Sequence, residues 1–557
     1  MKSIATIRAS ISPHVLDKAD LLFTNDDRGI WAELLQNARR AGATLVTVTI
    51  RELEKYRCLI EFQDNGSGIE DFQKLLTLGG SGWEASTQEK EDPAGMGFFS
   101  LCRSVVTVHS HNARVEIRPE VFLGKAAAVV ESCEEYVRGT RLRFIRETTK
   151  FILTAALKQV TEFCPVDVYL NGAPLPRHDF LEGALHREII DGIEVGFAPG
   201  FSLDWHYDDQ NWNFFGARLR GPADRFDGFL PPHGDKAPQT LYTRFNVLET
   251  AKVKLQLPDR RAIVEDGRLV SFKIKVRAAA YRFFQAQQRH DLPYKNWVEA
   301  QQLGIELPEA VCRLTSWHAG AQDDAIEPPF GYGTTNILPD LADVALVSGH
   351  LPNPHTFEGA LHSGAELPWR LYEQRSSAQG YSWYDTLPTI TGCQVLMDGA
   401  SHADCLENAK ERPQKIEVKI TVAQAGLPAS TLEIPAVIHV NSESTNQPDF
   451  VAIKHSPWDN DEVSGPFSVT DFLMWATFMS SDSVEADSWE TQRDRYESEI
   501  DEEIDRYFRG PKATLLSILR KTLGWKAKNL AEELGVREIR FIKDDSGDRN
   551  WNVETMK

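Results

Sequence analysis

Apolar residues in the first third of the chain follow two clear periods. Helical spacing dominates residues 12–42. Ala43 to Arg51 then alternates and is rich in Val and Thr, which predicts a strand. Cys58 to Gln63 predicts the next strand, ending at Asp64. Ser104–His109 and Ala113–Arg118 read as two paired strands, and Arg141–Ile145 as another. Thr154–Phe163 has helical spacing, and Val166–Leu170 reads as a strand running into an Asn171-Gly172 turn. The sum is an α/β sandwich with helices on one face of a mixed sheet.

The pattern then becomes harder to read. Residues 176–290 mix strands and turns and finish in a helix over Leu269–Gln287. Residues 291–410 are rich in Pro, Gly and His. Alternation returns in Ile416, Val418, Ile420 and Val422, and again in Leu432, Ile434 and Ile438, predicting two strands. Ser468-Val-Thr-Asp471 has the form of a capping box before Phe472, Leu473, Trp475 and Phe478. Trp489, Tyr496, Ile500, Ile504 and Phe508 mark one face of a last helix. The expected class is α+β, in four regions: 1–175, 176–290, 291–460 and 461–557.

At 557 residues the chain is too long for one hydrophobic core. Its net charge of −20 argues against non-specific nucleic-acid binding, which draws on a basic excess. Residues 481–510 carry eleven acids against four bases, as a solvated helix face or an acidic docking surface. No apolar run approaches a membrane span, and the seven scattered cysteines fit free thiols, so a cytoplasmic location without membrane contact is expected.

Four short motifs carry the candidate chemistry. Glu33-Leu-Leu-Gln-Asn37 puts an acid and an amide one helical turn apart. Asp64-Asn-Gly66-Ser-Gly68 is a tight acidic turn, and Gly95-Met-Gly97-Phe-Phe-Ser100 a glycine loop at a helix start. Arg138-Gly139-Thr140 is the fourth. Between the second and third, Gly79, Gly80, Ser81 and Gly82 precede a polar stretch that suits a lid. A Rossmann loop fails on context, because no strand directly precedes Gly95. No P-loop sequence occurs.

In this order the four motifs resemble the nucleotide site of the GHKL ATPases: gyrase B, Hsp90, histidine kinases and MutL. The run Asn37-x-x-x-Ala41-Gly42-Ala43-Thr44 is most similar to MutL, except that Arg40 stands where an Asp is usual. The resemblance implies an ATP-binding Bergerat sandwich followed by a transducer-like α/β domain. Glu33 would be the general base, and Asn37 would ligate Mg²⁺ alongside the phosphates. Asp64 would read adenine, helped by Gly66, Gly68 and Thr140. Gly95 and Gly97 would wrap the phosphates, and Ser81 would touch them from the lid.

Further on, Pro258-Asp-Arg260-Arg261 is similar to the MutL loop that reaches the γ-phosphate, with Lys252 and Lys254 as weaker alternatives. The resemblance also implies an ATPase switch, pairing of two copies on ATP, and a macromolecular partner engaged by the C-terminal half. Charge favours protein over nucleic acid as that partner. Two alternatives stand beside this: a DNA-processing ATPase, and a scaffold that binds nucleotide without turnover.

Three other clusters offer weaker chemistry. His350, His355, Glu358 and His362 lack zinc spacing, and Pro352 and Pro354 argue against a continuous helix. Cys393, His402 and Cys405 lack a fourth ligand. Trp205, Trp212, Phe214 and Phe215 fit core packing better than base stacking.

Overall fold

The structure, a computed structural model, describes residues 27–77, 97–200, 210–231, 237–256, 262–320, 323–329, 331–362, 365–401, 416–424, 427–436, 469–480, 488–504, 538–543 and 551–556, with a few isolated positions between 512 and 537. The chain forms two compact units, divided between Ala310 and Val311.

The first unit opens with α1 (Asp27–Arg40). A hairpin of β1 (Leu45–Glu54) and β2 (Arg57–Asp64) follows, then β3 (Val106–Ile117), β4 (Val130–Arg146), α2 (Lys150–Thr161), β5 (Asp167–Leu170) and β6 (Ala173–Pro174). The strands make one mixed sheet, ordered β3-β4-β2-β1-β5-β6, in which β1 and β5 run parallel and the other pairs antiparallel. The alternation read in β1 is real: Val46, Val48 and Ile50 are buried beneath the helices while Thr47 and Thr49 face out. Trp31, Leu34 and Leu35 of α1 and Leu153 and Leu157 of α2 close the same core. Full burial of each such side chain stabilises by about 1.5–3 kcal/mol. Trp31 Nε1 also donates to the Leu153 carbonyl at 3.2 Å, joining the two helices.

Two expectations change here. Ser104–His109 and Ala113–Arg118 do not pair with each other. Residues 106–117 form one strand that pairs along β4, with register shifts around His111. His111 sits at φ +54, and this irregularity is what breaks the alternation into two apparent strands. α2 also starts earlier than its apolar spacing suggests, because Thr149 caps it by accepting from the Ile152 amide at 3.2 Å.

A second sheet follows in the same unit. It contains β7 (His186–Ile190), β8 (Ile193–Pro199), β9 (Trp212–Phe214), β10 (Ala217–Leu219), β11 (Arg225–Phe229) and β12 (Gln239–Val247). Its order is β10-β9-β12-β8-β7, with β11 also on β12. Its core includes residues from α3 (Gly267–Gln287), whose N-cap Asp266 accepts from Arg268 and Leu269, and from α4 (Tyr294–Gln302). That core runs on through Leu307, past the position where the sequence pattern placed a boundary. Trp212, Phe214 and Phe215 are all buried in it, as core packing requires; Trp205 lies outside the described residues.

The second unit contains the pair β13 (Arg313–Thr315) and β14 (Thr335–Ile337), then β15 (Val344–Val347), α5 (Pro354–His362), β16 (Arg370–Glu373), β17 (Thr389–Met397), β18 (Ala400–Ser401), β19 (Ile416–Gln424) and β20 (Leu427–Ala436). The larger sheet is mixed, ordered β16-β15-β17-β19-β20, with β18 folding back on β17. The two late strands expected from alternation pair with each other. α6 (Val469–Thr477) and α7 (Trp489–Ile504) share an aromatic core. A last hairpin joins β21 (Glu538–Lys543) and β22 (Trp551–Met556). Ile438, Ser468 and Phe508 lie outside the described residues.

α5 corrects the reading of Pro352 and Pro354. Pro354 is the first helical residue, a position where its missing N–H costs nothing. The helix buries Glu358, which accepts from His318 Nδ1 and from the Ala319 amide, both at 2.8 Å. Among the described residues no group of three or more His, Cys, Asp or Glu could hold a metal ion. Nor does any described helix have the length and apolarity to cross a membrane.

Candidate functional site

α1 organises the site. Asp27 in its first turn pairs with Arg146 at the end of β4 at 3.0 Å, which anchors the helix start. Its buried side faces the core, leaving Glu33, Asn37 and Arg40 half-buried.

The Asp64–Gly68 turn docks on the other end of α1. The Ser67 amide donates to the Ala41 carbonyl at 2.8 Å. Gly66 passes so close that an added Cβ would lie 2.7 Å from that carbonyl oxygen. Asn65 fixes the approach, with Oδ1 accepting from the amides of Thr44 and Leu45 at 2.9 and 3.0 Å. It holds backbone and so leaves the chemistry to Asp64.

Asp64 is buried at the end of β2, with 6% of its surface exposed. Burial raises its pKa above the usual carboxylate value, while the amides of Gly66 and Thr140 pull it back down. Gly139 lies directly over it at φ +73, and an added Cβ would meet Asp64 Oδ1 at 2.6 Å. Here glycine is required both by the backbone and by the close approach. Thr140 thus reaches Asp64 through its backbone amide.

Ser110 completes this corner, and no sequence signal singled it out. Fully buried, it donates to the Gly139 carbonyl at 2.7 Å and accepts from the Ile69 amide at 2.8 Å. One hydroxyl therefore joins β3, β4 and the Gly68 turn. His111 Nε2 lies 3.0 Å from the Ser67 carbonyl, and its ring stacks on Tyr136 with centroids 5.8 Å apart.

At the other end, Gly97 opens a short 3₁₀ turn (Gly97–Leu101) against Glu33. A Cβ there would collide with the Glu33 carboxylate. Asn37 has a neighbour on its own helix: Arg40 Nη1 stands 3.4 Å from Asn37 Oδ1.

Gly97 thus meets Glu33 on α1, the Asp64–Gly68 turn meets the end of that helix at Ala41, and Gly139 and Thr140 close on Asp64. Ser81, Gly95, Arg260 and Arg261 lie outside the described residues. The chain on either side of the two arginines is paired, however: Leu255 bridges Ile263, and the Val264 amide donates to the Lys254 carbonyl at 3.0 Å. His402 and Cys405 also lie outside the described residues, and Cys393 is a buried strand residue.

The residues present fit a purine nucleotide. A buried carboxylate stands at the end of β2, closed in by Gly66 and Gly139, and Asn37 offers one hard oxygen that could join phosphates and water around Mg²⁺. Arg40 occupies one side of that oxygen; its second lone pair is left for the metal.

No curated protein matches the chain. The N-terminal domain of a DNA repair protein is similar at 12% identity, covering 46% of this chain and 94% of that one, with a TM-score of 0.29. The MutL ATPase domain of Aquifex aeolicus, complexed with ADP, is similar at 18% identity, covering 30% and 72%, with a TM-score of 0.18. One family model matches, over residues 28–148. That segment spans α1, the Asp64 turn, Gly97 and Thr140, and it is a domain of the histidine kinase-, DNA gyrase B- and HSP90-like ATPase family.

Proposed function

We propose that this protein is an ATP-driven conformational switch, in which the first domain binds and hydrolyses ATP and the C-terminal half engages a macromolecular partner. The observation that carries the reading is the convergence of Glu33, Asn37, Asp64, Gly66, Gly68, Gly97, Gly139 and Thr140 around α1.

Asp64 accepts from the exocyclic amino group of adenine. Guanine presents a carbonyl at that edge, so ATP is preferred over GTP. Gly66, Gly68 and Gly139 let Ala41, Ser110 and the β4 backbone close around the Asp64 carboxylate. Glu33 orients a water in line with the γ-phosphate and takes its proton, a task typically worth about 10²–10⁴ in rate. Mg²⁺, held through Asn37, supplies charge compensation at the phosphates. Arg260 or Arg261, from the neighbouring domain, meets charge that develops in the transition state.

Phosphate release by the purified chain tests the reading. Magnesium-dependent turnover that disappears in Glu33→Ala supports it. A wild-type chain that binds ATP without releasing phosphate would favour the scaffold reading instead. The contact of Arg40 with Asn37 is the observation on that side.

A further inference from the structure

α1 presents a second polar edge that the nucleotide does not use. Gln36 and Arg39 are only 6% and 9% exposed. Polar side chains so deeply buried need partners, and theirs come from the second domain. Gln36 Nε2 donates to the carbonyls of Phe214 and Phe215 at 3.0 and 3.1 Å. Arg39 Nη1 donates to both carboxylate oxygens of Glu249 at 2.9 and 3.0 Å, and its guanidinium lies 3.7 Å from the centre of the Phe215 ring. Arg39 Nε donates to Gln36 Oε1 at 3.2 Å, so the two act as one unit.

Their target is the turn between β9 and β10. Phe215 has φ +53 there and Gly216 has φ +98. Positive φ is costly for a bulky residue, so this geometry persists because its surroundings enforce it. An added Cβ on Gly216 would lie 2.8 Å from the Val160 carbonyl of α2. Asn213 Nδ2 donates to the Phe163 carbonyl at 3.2 Å. The turn is therefore wedged between α1 and the end of α2.

We propose that Gln36 and Arg39 are positioning residues that couple the Glu33 helix to the Phe215–Gly216 turn and Glu249, so that nucleotide occupancy is transmitted to the second domain through that turn. The geometry favours this route because a helix that moves to meet phosphate must carry its other polar edge along. The turn bonded to that edge is already held out of its relaxed conformation. The proposal rests on the nucleotide reading above and adds its route of transmission.

The test uses the full chain with ATP and Mg²⁺, reading ATP affinity by calorimetry, turnover by phosphate release and amide exchange in residues 211–218 and 245–251. ATP should change exchange at the turn in the wild type. Gln36→Ala and Arg39→Ala should keep ATP Kd within about threefold, lower kcat by about tenfold or more, and lose the exchange response. Arg39→Lys, which keeps a cation opposite Glu249, should recover part of it. Glu249→Gln alters an exposed side chain and should reproduce the loss. Wild-type binding and turnover with variants indistinguishable from it would overturn the coupling alone. A wild type that binds no ATP would overturn the nucleotide reading and the coupling with it.

Discussion

The Cα of Gly97 lies against the carboxylate of Glu33, with no space between them for a methyl group. The φ of Gly97 is outside the left-handed region, so alanine there is not strained in its backbone. Its whole effect falls on Glu33. Gly97→Ala should retain ATP binding and lose at least about tenfold in kcat, because it displaces the base and leaves the base pocket alone. Glu33→Ala should bind ATP near wild-type affinity and lose at least about 10²-fold in turnover. Equal loss of binding and turnover in Gly97→Ala would show that Gly97 serves the phosphates and not the base.

Asp64→Asn puts a donor into an acceptor site. ATP affinity should fall by about tenfold or more, the scale of one hydrogen bond to a charged group. Titration gives an independent check. Burial raises the Asp64 pKa, so the ionised acceptor is lost in acid earlier than for an ordinary aspartate at 3.8. ATP affinity should decline as pH falls through that raised value. Stability of the free protein should move the other way. A raised carboxyl contributes stability that is fully present below its unfolded value and lost as pH rises through its folded value. Calorimetry showing pH-independent affinity across this acid range would remove Asp64 from the base pocket.

Arg40 stands beside the oxygen proposed to meet the metal. Its guanidinium holds one side of the Asn37 oxygen, and its charge opposes a second cation there. Arg40→Ala should strengthen the dependence of ATP binding on Mg²⁺ by on the order of tenfold, comparable to one charged hydrogen bond. Calorimetry with and without EDTA reads this directly. Identical magnesium dependence in both proteins would make Arg40 a support for the helix alone.

In the second unit, Glu358 and His318 define a pH window. Glu358 is buried, yet hydrogen bonds from His318, His362 and the Ala319 amide hold its pKa below the usual 4.5. Its contribution is present above that value and is lost as pH falls through the lowered one. The hydrogen bond to Glu358 raises His318 above the usual 6.5, with a smaller contribution from the charge of Glu373. That contribution is full below 6.5 and is lost as pH rises through the raised value. The pair should therefore stabilise most between the two ordinary values. Glu358→Gln should cost about 1.5–3 kcal/mol near pH 6 and flatten the profile. An unchanged thermal profile in that variant would make the pair energetically silent.

The chain on either side of Arg260 and Arg261 is paired, Leu255 with Ile263. Replacing the one that meets the γ-phosphate by Ala should lower kcat more than it raises ATP Kd. Full activity in both alanine variants would move that role to Lys252 or to Lys254, whose carbonyl takes part in that pairing.

What was legible in the sequence follows from local physics. β1, β2 and β5 alternate because one face of each is buried. The four motifs are each weak alone and are legible through their order along the chain. Other features depended on contacts across the fold. β3 looked like two strands because the irregularity at His111 interrupts its alternation. α5 was missed because a proline within a helix and one at its first position look alike in sequence. Ser110 is one serine among many until β3, β4 and the Gly68 turn meet at its hydroxyl. Nothing in the sequence marks Gln36 and Arg39, because their partners lie over 170 residues away.

The wedged turn also bears on how freely the first domain can be exchanged between proteins. A cut near Leu175 would strip the cover from Gln36, Arg39 and the end of α2, leaving the amide and guanidinium without their protein partners and apolar surface facing water. The ATP-binding fold of this chain is thus not a cassette that recombination can lift out whole. Any fusion that borrows it must bring residues 211–218 along or supply another turn of the same shape, and a shuffled library should keep the two segments together even though 170 residues separate them in the gene.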